Sequence, residues 1–252
     1  MFNLDRANMW KRLSAWLLDA IILLILATGF AFLASWLTKY DSYWENYQAK
    51  FEEYETAYDT DFDYTKEQYD NLSEEDKKKY DDAYEAFSHD DVVLYNWNMM
   101  INLALIIVSS SVLLAVLITN FVVPLFIKNG QTVGKLCFNI CLVKKDAVRV
   151  NNLMVFTRAL LGKFAIELML PIYVVILLFF GNGSMLWVIV FALIFTVNFV
   201  LLFFTRNHSP IHDLLAGTVV VDKSSQMIYQ SEDELVKAKE ENAKKEAIKS
   251  YY

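Results

Sequence analysis

Two carboxylic acids, Asp19 and Glu167, stand inside stretches of sequence that are otherwise almost free of charge. A carboxylate is costly in hydrocarbon, so each must face protein or water and find a partner. Asp19 lies two helical turns beyond Arg12 on nearly the same face, with the small Ala15 between them. Their axial separation is about 10 Å, which is long for direct pairing, and Arg12 at the boundary can snorkel toward water. Asp19 is therefore expected to meet a donor from another helix, or a water, with Ala15 allowing a close approach. Glu167 has two readings. It can pair with Lys163 one turn earlier, or it can line a polar cavity where Pro171 loosens the helix. Asn102, Asn120 and Asn198 read as interhelical hydrogen-bonders. Burial raises an acid's pKa and a nearby cation lowers it again. That tunability suits the exchange of protons or cations, with Arg12, His212 and Asp213 as an inner gate or charge relay.

Other chemistries fit less well. Cys137-x-x-x-Cys141 and His208-x-x-x-His212 could supply four zinc ligands, but Cys141 falls in a predicted strand and the histidines flank a helix start. Reduced apolar cysteines and a capping histidine are the simpler reading. Ser209 to Gly217 reads as a short helix with Ser209 as N-cap, Pro210 in the first position and Gly217 at the end. Asp213 in its first turns suits the helix dipole, so a structural role is reasonable there. Asp59-x-Asp61-x-Asp63 with Asp70 resembles a calcium loop, yet Tyr64 stands where a glycine is needed and Asp70 where a longer Glu is; a solvated acidic turn is favoured. No Gly-rich phosphate loop and no Ser/His/Asp nucleophile order stands out, so no enzyme and no cofactor is expected.

The elements that must carry these residues are set by composition. Hydrophobic residues make up 56% of the 252, mean hydropathy is +0.28, and Gly (7) and Pro (3) are scarce. The net charge of −7 speaks against nucleic acid, and two cysteines make no disulfide framework. Long apolar runs alternate with charged stretches, the pattern of an all-α polytopic membrane protein. Four segments approach the length a bilayer needs: 13–37, 99–127, 164–180 and 185–204. Amphipathic Leu153–Gly162 feeds the third, and Gly181-Asn182-Gly183-Ser184 turns it into the fourth. The first run is too long for a signal peptide and has no small-x-small cleavage site, so it is expected to be retained. Residues 1–12 carry Arg6, Lys11 and Arg12 against Asp5. Residues 128–163 carry 7 Lys/Arg and one acid, whereas 38–98 carry 6 Lys and 18 acids. Positive loops stay inside, which predicts a multi-pass plasma-membrane protein with both termini cytoplasmic and the acidic loop outside.

That loop is patterned. Tyr40, Tyr43, Tyr47, Phe51, Tyr54 and Tyr58 make one helical stripe, and Tyr80, Tyr84 and Phe87 make another. Thr65-x-x-Gln68 is a capping box and Ser73-x-x-Asp76 an acidic variant of one. The sequence predicts an extracytoplasmic helical hairpin over 38–98, its small wet core built from Tyr rings. On the inner side, Ile140–Val150 reads as two short strands around a turn, and Gly217–Asp222 as a third that pairs with Ile140–Val143 in a small cytoplasmic β element. Asn152 is the expected cap of the helix that follows. The 223–252 tail reads as a solvated charged helix from Ser231-x-x-Glu234.

Three motifs carry a resemblance. Arg12-Leu-Ser-Ala15-Trp-Leu-Leu-Asp19, Gly130-Gln131-Thr132-Val133-Gly134-Lys135 and His212-Asp213-Leu-Leu-Ala-Gly217-Thr218-Val219-Val220-Val221 are similar, in order, to stretches of the RDD family. The family is named for one arginine and two aspartates, and the match makes these Arg12, Asp19 and Asp213. It covers 6–222 and leaves the 38–98 insertion and the tail unexplained. The resemblance implies a multi-pass membrane domain with suspected transport activity and no defined substrate. Two functions follow as expectations. The first is transport of a cation, proton or small solute through intramembrane carboxylates, by a homo-oligomer or with a membrane partner. The second is a membrane scaffold that presents the acidic hairpin and holds its basic 128–163 loop against anionic lipid in the bilayer.

Overall fold

A computed structural model describes residues 4–179, 185–204 and 209–249. The chain forms two compact units, one of residues 1–30 and 111–252, the other of residues 31–110.

In the smaller unit, helix α1 (Met9–Thr38) ends where Lys39 adopts a left-handed conformation, and α2 (Tyr40–Tyr58) follows. A short α3 (Lys66–Asp70) leads to α4 (Glu74–His89), which packs on α2, and then to α5 (Asp91–Val116). The Thr65/Gln68 capping box forms with both of its hydrogen bonds, and Ser73 accepts from the Asp76 N–H. Phe87, 5% exposed, is ringed by Tyr47, Phe51, Tyr54 and Phe62 at centroid distances of 5.5–5.7 Å. Tyr hydroxyls reach the acids around this core: Tyr54 donates to Asp90 (3.0 Å) and Tyr69 to Asp81 (2.9 Å). Phe62 lies outside both predicted stripes, in the acidic bend. There Asp59 ends α2 in a left-handed conformation and Asp61 accepts from the Asp63 N–H.

Among the described residues, three helical runs are long and apolar enough to cross a membrane: Met9–Thr38, Asp91–Phe126 and Asn152–Phe179. A further apolar helix, α10 (Met185–Phe204), packs on α9 (Leu170–Phe179). The second and third runs begin earlier than their hydropathy suggested, at Asp91 and Asn152, because the polar residues before them continue the same helix. Asn151 caps the third run, accepting from Met154 N–H at 2.8 Å, in place of the expected Asn152. The predicted turn at 181–184 lies outside the described residues.

Both of the latter runs widen into π-helix, at Leu117–Val122 and at Arg158–Met169. Each widened stretch is followed by a proline, Pro124 in α6 (Val123–Phe126) and Pro171 in α9. A proline has no N–H for the carbonyl four residues before it, and its ring crowds that carbonyl. Taking one more residue into the turn relieves both problems. The residues four before are Asn120 and Glu167.

The chain also makes α7 (Val133–Cys137) and β1 (Ile140–Lys144), opens the third run with α8 (Asn152–Thr157), and follows α10 with α11 (Ile211–Ala216) and β2 (Thr218–Asp222). As expected, β1 and β2 pair; they are antiparallel, from Ile140↔Asp222 to Lys144↔Thr218. The second strand predicted after β1 reduces to isolated bridges, Val143↔Arg149 and Val148↔Tyr229, while Arg6↔Val221 adds the start of the chain. One face of the sheet packs Ile140, Leu142 and Val220 on Ala7, Ala15, Val150 and Val155. The other buries Cys141, Val143, Val219 and Val221 beside Leu4 and Ile228. Burial of both faces explains runs that are apolar throughout rather than alternating. Ser209 does not cap α11; Pro210 stands in that position, and Gly217 ends the helix with φ +66°. The tail is only partly solvated. Tyr229 and Leu235 are buried with Ala147 and Val148, and the exposed part of α12 (Glu232–Lys249) begins beyond them.

Candidate functional site

Asp19 is 5% exposed, and both of its oxygens are occupied. Oδ2 accepts from the Thr132 hydroxyl at 2.5 Å and Oδ1 from the Gly134 N–H at 2.8 Å. Its donors therefore come from the Gly130–Lys135 segment, which the sequence reading treated as turn chemistry. Thr132 also caps α7 and accepts from Lys135 Nζ at 3.3 Å. A Cβ on Gly134 would stand 2.2 Å from the Ala15 carbonyl oxygen and 2.9 Å from Asp19 Cγ. Ala15 and Gly134 thus provide the close approach that Ala15 suggested.

A second centre forms where α11 packs on the widened Arg158–Met169 stretch. Asp213 Oδ1 accepts from Arg158 Nε at 2.6 Å and from the Thr218 hydroxyl at 2.9 Å. Both members of the ion pair are buried. Glu167 does not take Lys163. It accepts from His212 Nδ1, at 2.7 Å to Oε1 and 2.8 Å to Oε2. An ionised carboxylate only accepts, so Nδ1 carries the imidazole proton in this pair. The other ring nitrogen lies 3.7 Å from Asp213 Oδ1. A Cβ on Gly162 would meet His212 Cβ at 2.4 Å, so this approach also requires glycine. Lys163 Nζ donates instead to Asn120 Oδ1 at 2.9 Å, the interhelical bond expected of that asparagine; Asn198 accepts from the Ile211 N–H at 3.2 Å. Arg12 donates to the Val220 carbonyl at 2.6 Å and so holds the start of α1 to β2.

The electrostatics follow from burial. Burial alone would raise the Asp213 carboxyl, but Arg158, His212 and Lys135 hold it well below the usual carboxylate range. Burial and the Arg158 charge pull His212 below its ordinary value, against Asp213 and Glu167. Burial and Arg158 also bring the Lys135 ammonium down to about 7, with Lys163 acting the same way and Asp19 and Asp213 opposing.

This gives Lys135 a stability signature. The unfolded chain keeps that proton up to the ordinary value of 10.5, whereas the folded chain releases it at about 7. Between those values the unfolded state binds more protons, so stability rises with pH. Melting temperature in detergent should therefore climb from about pH 7 to pH 9.5, and Lys135→Met should flatten the climb. An unchanged slope in the variant would assign the titration to another group.

Among the described residues the zinc arrangement is not assembled. Cys141 is buried in the sheet, its thiol pushed up to about 11 by burial, Cys137 is exposed, and His212 is bonded to Glu167. His208 lies outside the described residues. Among the described residues no group of three or more His, Cys, Asp or Glu side chains could hold a metal.

Asp19 is held in one hydrogen-bonded centre and Glu167, His212 and Asp213 are gathered in the second, with Arg12 tied to the sheet. Arg158, Thr132, Thr218 and Gly162 were not singled out from the sequence. A family model described as RDD family matches residues 6–217. No curated protein and no solved structure gives a match.

Proposed function

The chain belongs to the RDD family, and from that premise we propose that it moves a cation, proton or small solute across the membrane, with Glu167 and His212 as the exchanging pair. The observation that carries this reading is the bond from His212 Nδ1, on α11, to both oxygens of Glu167, which stands in an apolar helical run long enough to span a bilayer. Ionisable groups at such depth are rare and mark relays and ion paths. Glu167 loads and unloads, and His212 passes the proton between its two nitrogens. Asp213, kept ionised by Arg158, sets the ring orientation, and Asp19 locks α1 to the Thr132–Gly134 backbone. In this reading α10 is the fourth crossing, both termini are cytoplasmic and the acidic hairpin is outside the plasma membrane. The charge contrast between 38–98 and 128–163 supports that orientation. Exposed Trp10 and Trp16 near one end of α1 and Trp36 near the other suit an aromatic belt.

The test is flux into proteoliposomes under proton and cation gradients, with an internal pH dye. Glu167→Gln keeps an acceptor for His212 but cannot exchange a proton. It should cut coupled flux about tenfold or more while leaving the melting curve near wild type. Wild-type protein that stays folded and moves nothing under any gradient would remove the proposal.

The scaffold reading draws on a different observation. Asp19 and Asp213 each accept two hydrogen bonds from neighbouring elements, as structural locks would, and the 31–110 unit has its own aromatic core. Capture of an envelope protein by that hairpin, without flux, would favour it.

A further inference from the structure

The carboxylates of the two centres are answered by donors other than the neighbouring lysines. Asp213 has Arg158, Glu167 has His212, and Asp19 has Thr132 and Gly134. Lys135 and Lys163 are left with one neutral acceptor each, Thr132 Oγ1 at 3.3 Å and Asn120 Oδ1 at 2.9 Å. Among the described residues neither ammonium lies within ion-pairing distance of a carboxylate. Lys135 is 7% exposed, so water cannot stand in freely. An ammonium carries three donors, and burying it unpaired is costly. The two lysines are also close enough to repel each other, and both feel Arg158.

We propose that Lys135 and Lys163, with Asn120 beside them, form a buried binding site for a small anion, a carboxylate or an inorganic ion. One anion fills the unused ammonium donors and relieves repulsion among three cations at once. The site requires a compact ligand, because Lys135 is itself only 7% exposed. The site stands whether or not the chain moves a solute.

Full-length protein in detergent is titrated with sodium acetate, sodium phosphate or sodium chloride, with gluconate keeping ionic strength constant, and unfolding is followed by Trp fluorescence. At least one probe should raise the melting temperature saturably. Its half-effect concentration should increase about tenfold or more in Lys163→Met and in Lys135→Met, and Lys163→Arg should restore the response. In the wild type the stabilisation should fade from pH 6 to pH 9 as Lys135 loses its charge; the charged groups acting on it are Arg158, Asp19, Lys163 and Asp213. That arm needs no variant to fold. No saturable response in the wild type, a response independent of pH, or equal responses in the methionine variants would each overturn the site. Anion binding without flux keeps the site and removes the transport reading; flux without anion binding does the reverse.

Discussion

Gly134→Ala is expected to disrupt the larger unit. The new Cβ would stand 2.2 Å from the Ala15 carbonyl oxygen, a backbone atom that cannot swing aside. Relief requires α7 to withdraw from α1, which also breaks the 2.8 Å bond from the Gly134 N–H to Asp19. Overpacking costs about 1–3 kcal/mol, and the lost bond to a charged group adds roughly 1.5–3 kcal/mol. A drop of about 3–5 kcal/mol in a chain of this size lowers the melting temperature by on the order of 10 °C. Gly29→Ala is the matched control, because nothing lies within 4 Å of its Cβ position. A variant at Gly134 that melts with the control would show that α1 and α7 do not make this contact.

The second large effect comes from the Arg158–Asp213 pair. Arg158→Leu leaves Asp213 buried with no guanidinium, and breaking such a pair from one side costs about 3–5 kcal/mol. Asp213→Leu strands the cation in the same way. The double variant removes both charges, so it should melt closer to wild type than either single one. The pH response separates this from a simple packing loss. In the native protein Asp213 is held below its ordinary value, so the stability it contributes is present at neutral pH and is lost only in strong acid. Without Arg158 only His212 and Lys135 still oppose the effect of burial on that carboxyl, so it moves upward and Arg158→Leu should lose stability at a higher pH than wild type. If the singles and the double melt alike, Arg158 and Asp213 are not coupled.

Residues whose role depends on local spacing were legible. The Tyr stripes, the Thr65/Gln68 box, the β1–β2 pairing and the placement of Asp19 and Glu167 in apolar helix all follow from periodicity or from the cost of burying charge. Residues whose role depends on distant partners were not. Lys163 seemed matched to Glu167 because one turn separates them, yet widening of the helix before Pro171 changes which side chains share a face. Glu167 then meets His212, and Lys163 meets Asn120. Arg158 gave no sign in the sequence, since a single arginine in a basic loop looks like any charge that orients a membrane protein. Thr132 and Gly134 belonged to a recognisable motif, but their spacing alone did not point to Asp19. The tail misled because its composition is charged, while two apolar residues, Tyr229 and Leu235, suffice to anchor its start.

The donors of Asp19 lie 113 and 115 residues further along the chain. At a synthesis rate of roughly 5–20 residues per second, α1 leaves the ribosome on the order of ten seconds before Thr132 and Gly134 exist. The first helix must therefore be inserted with its carboxylate still unsatisfied, and it needs shelter at the translocon or from water until the later segment arrives. Closure of that latch cannot precede synthesis of the second helix, which lies between Asp19 and its donors.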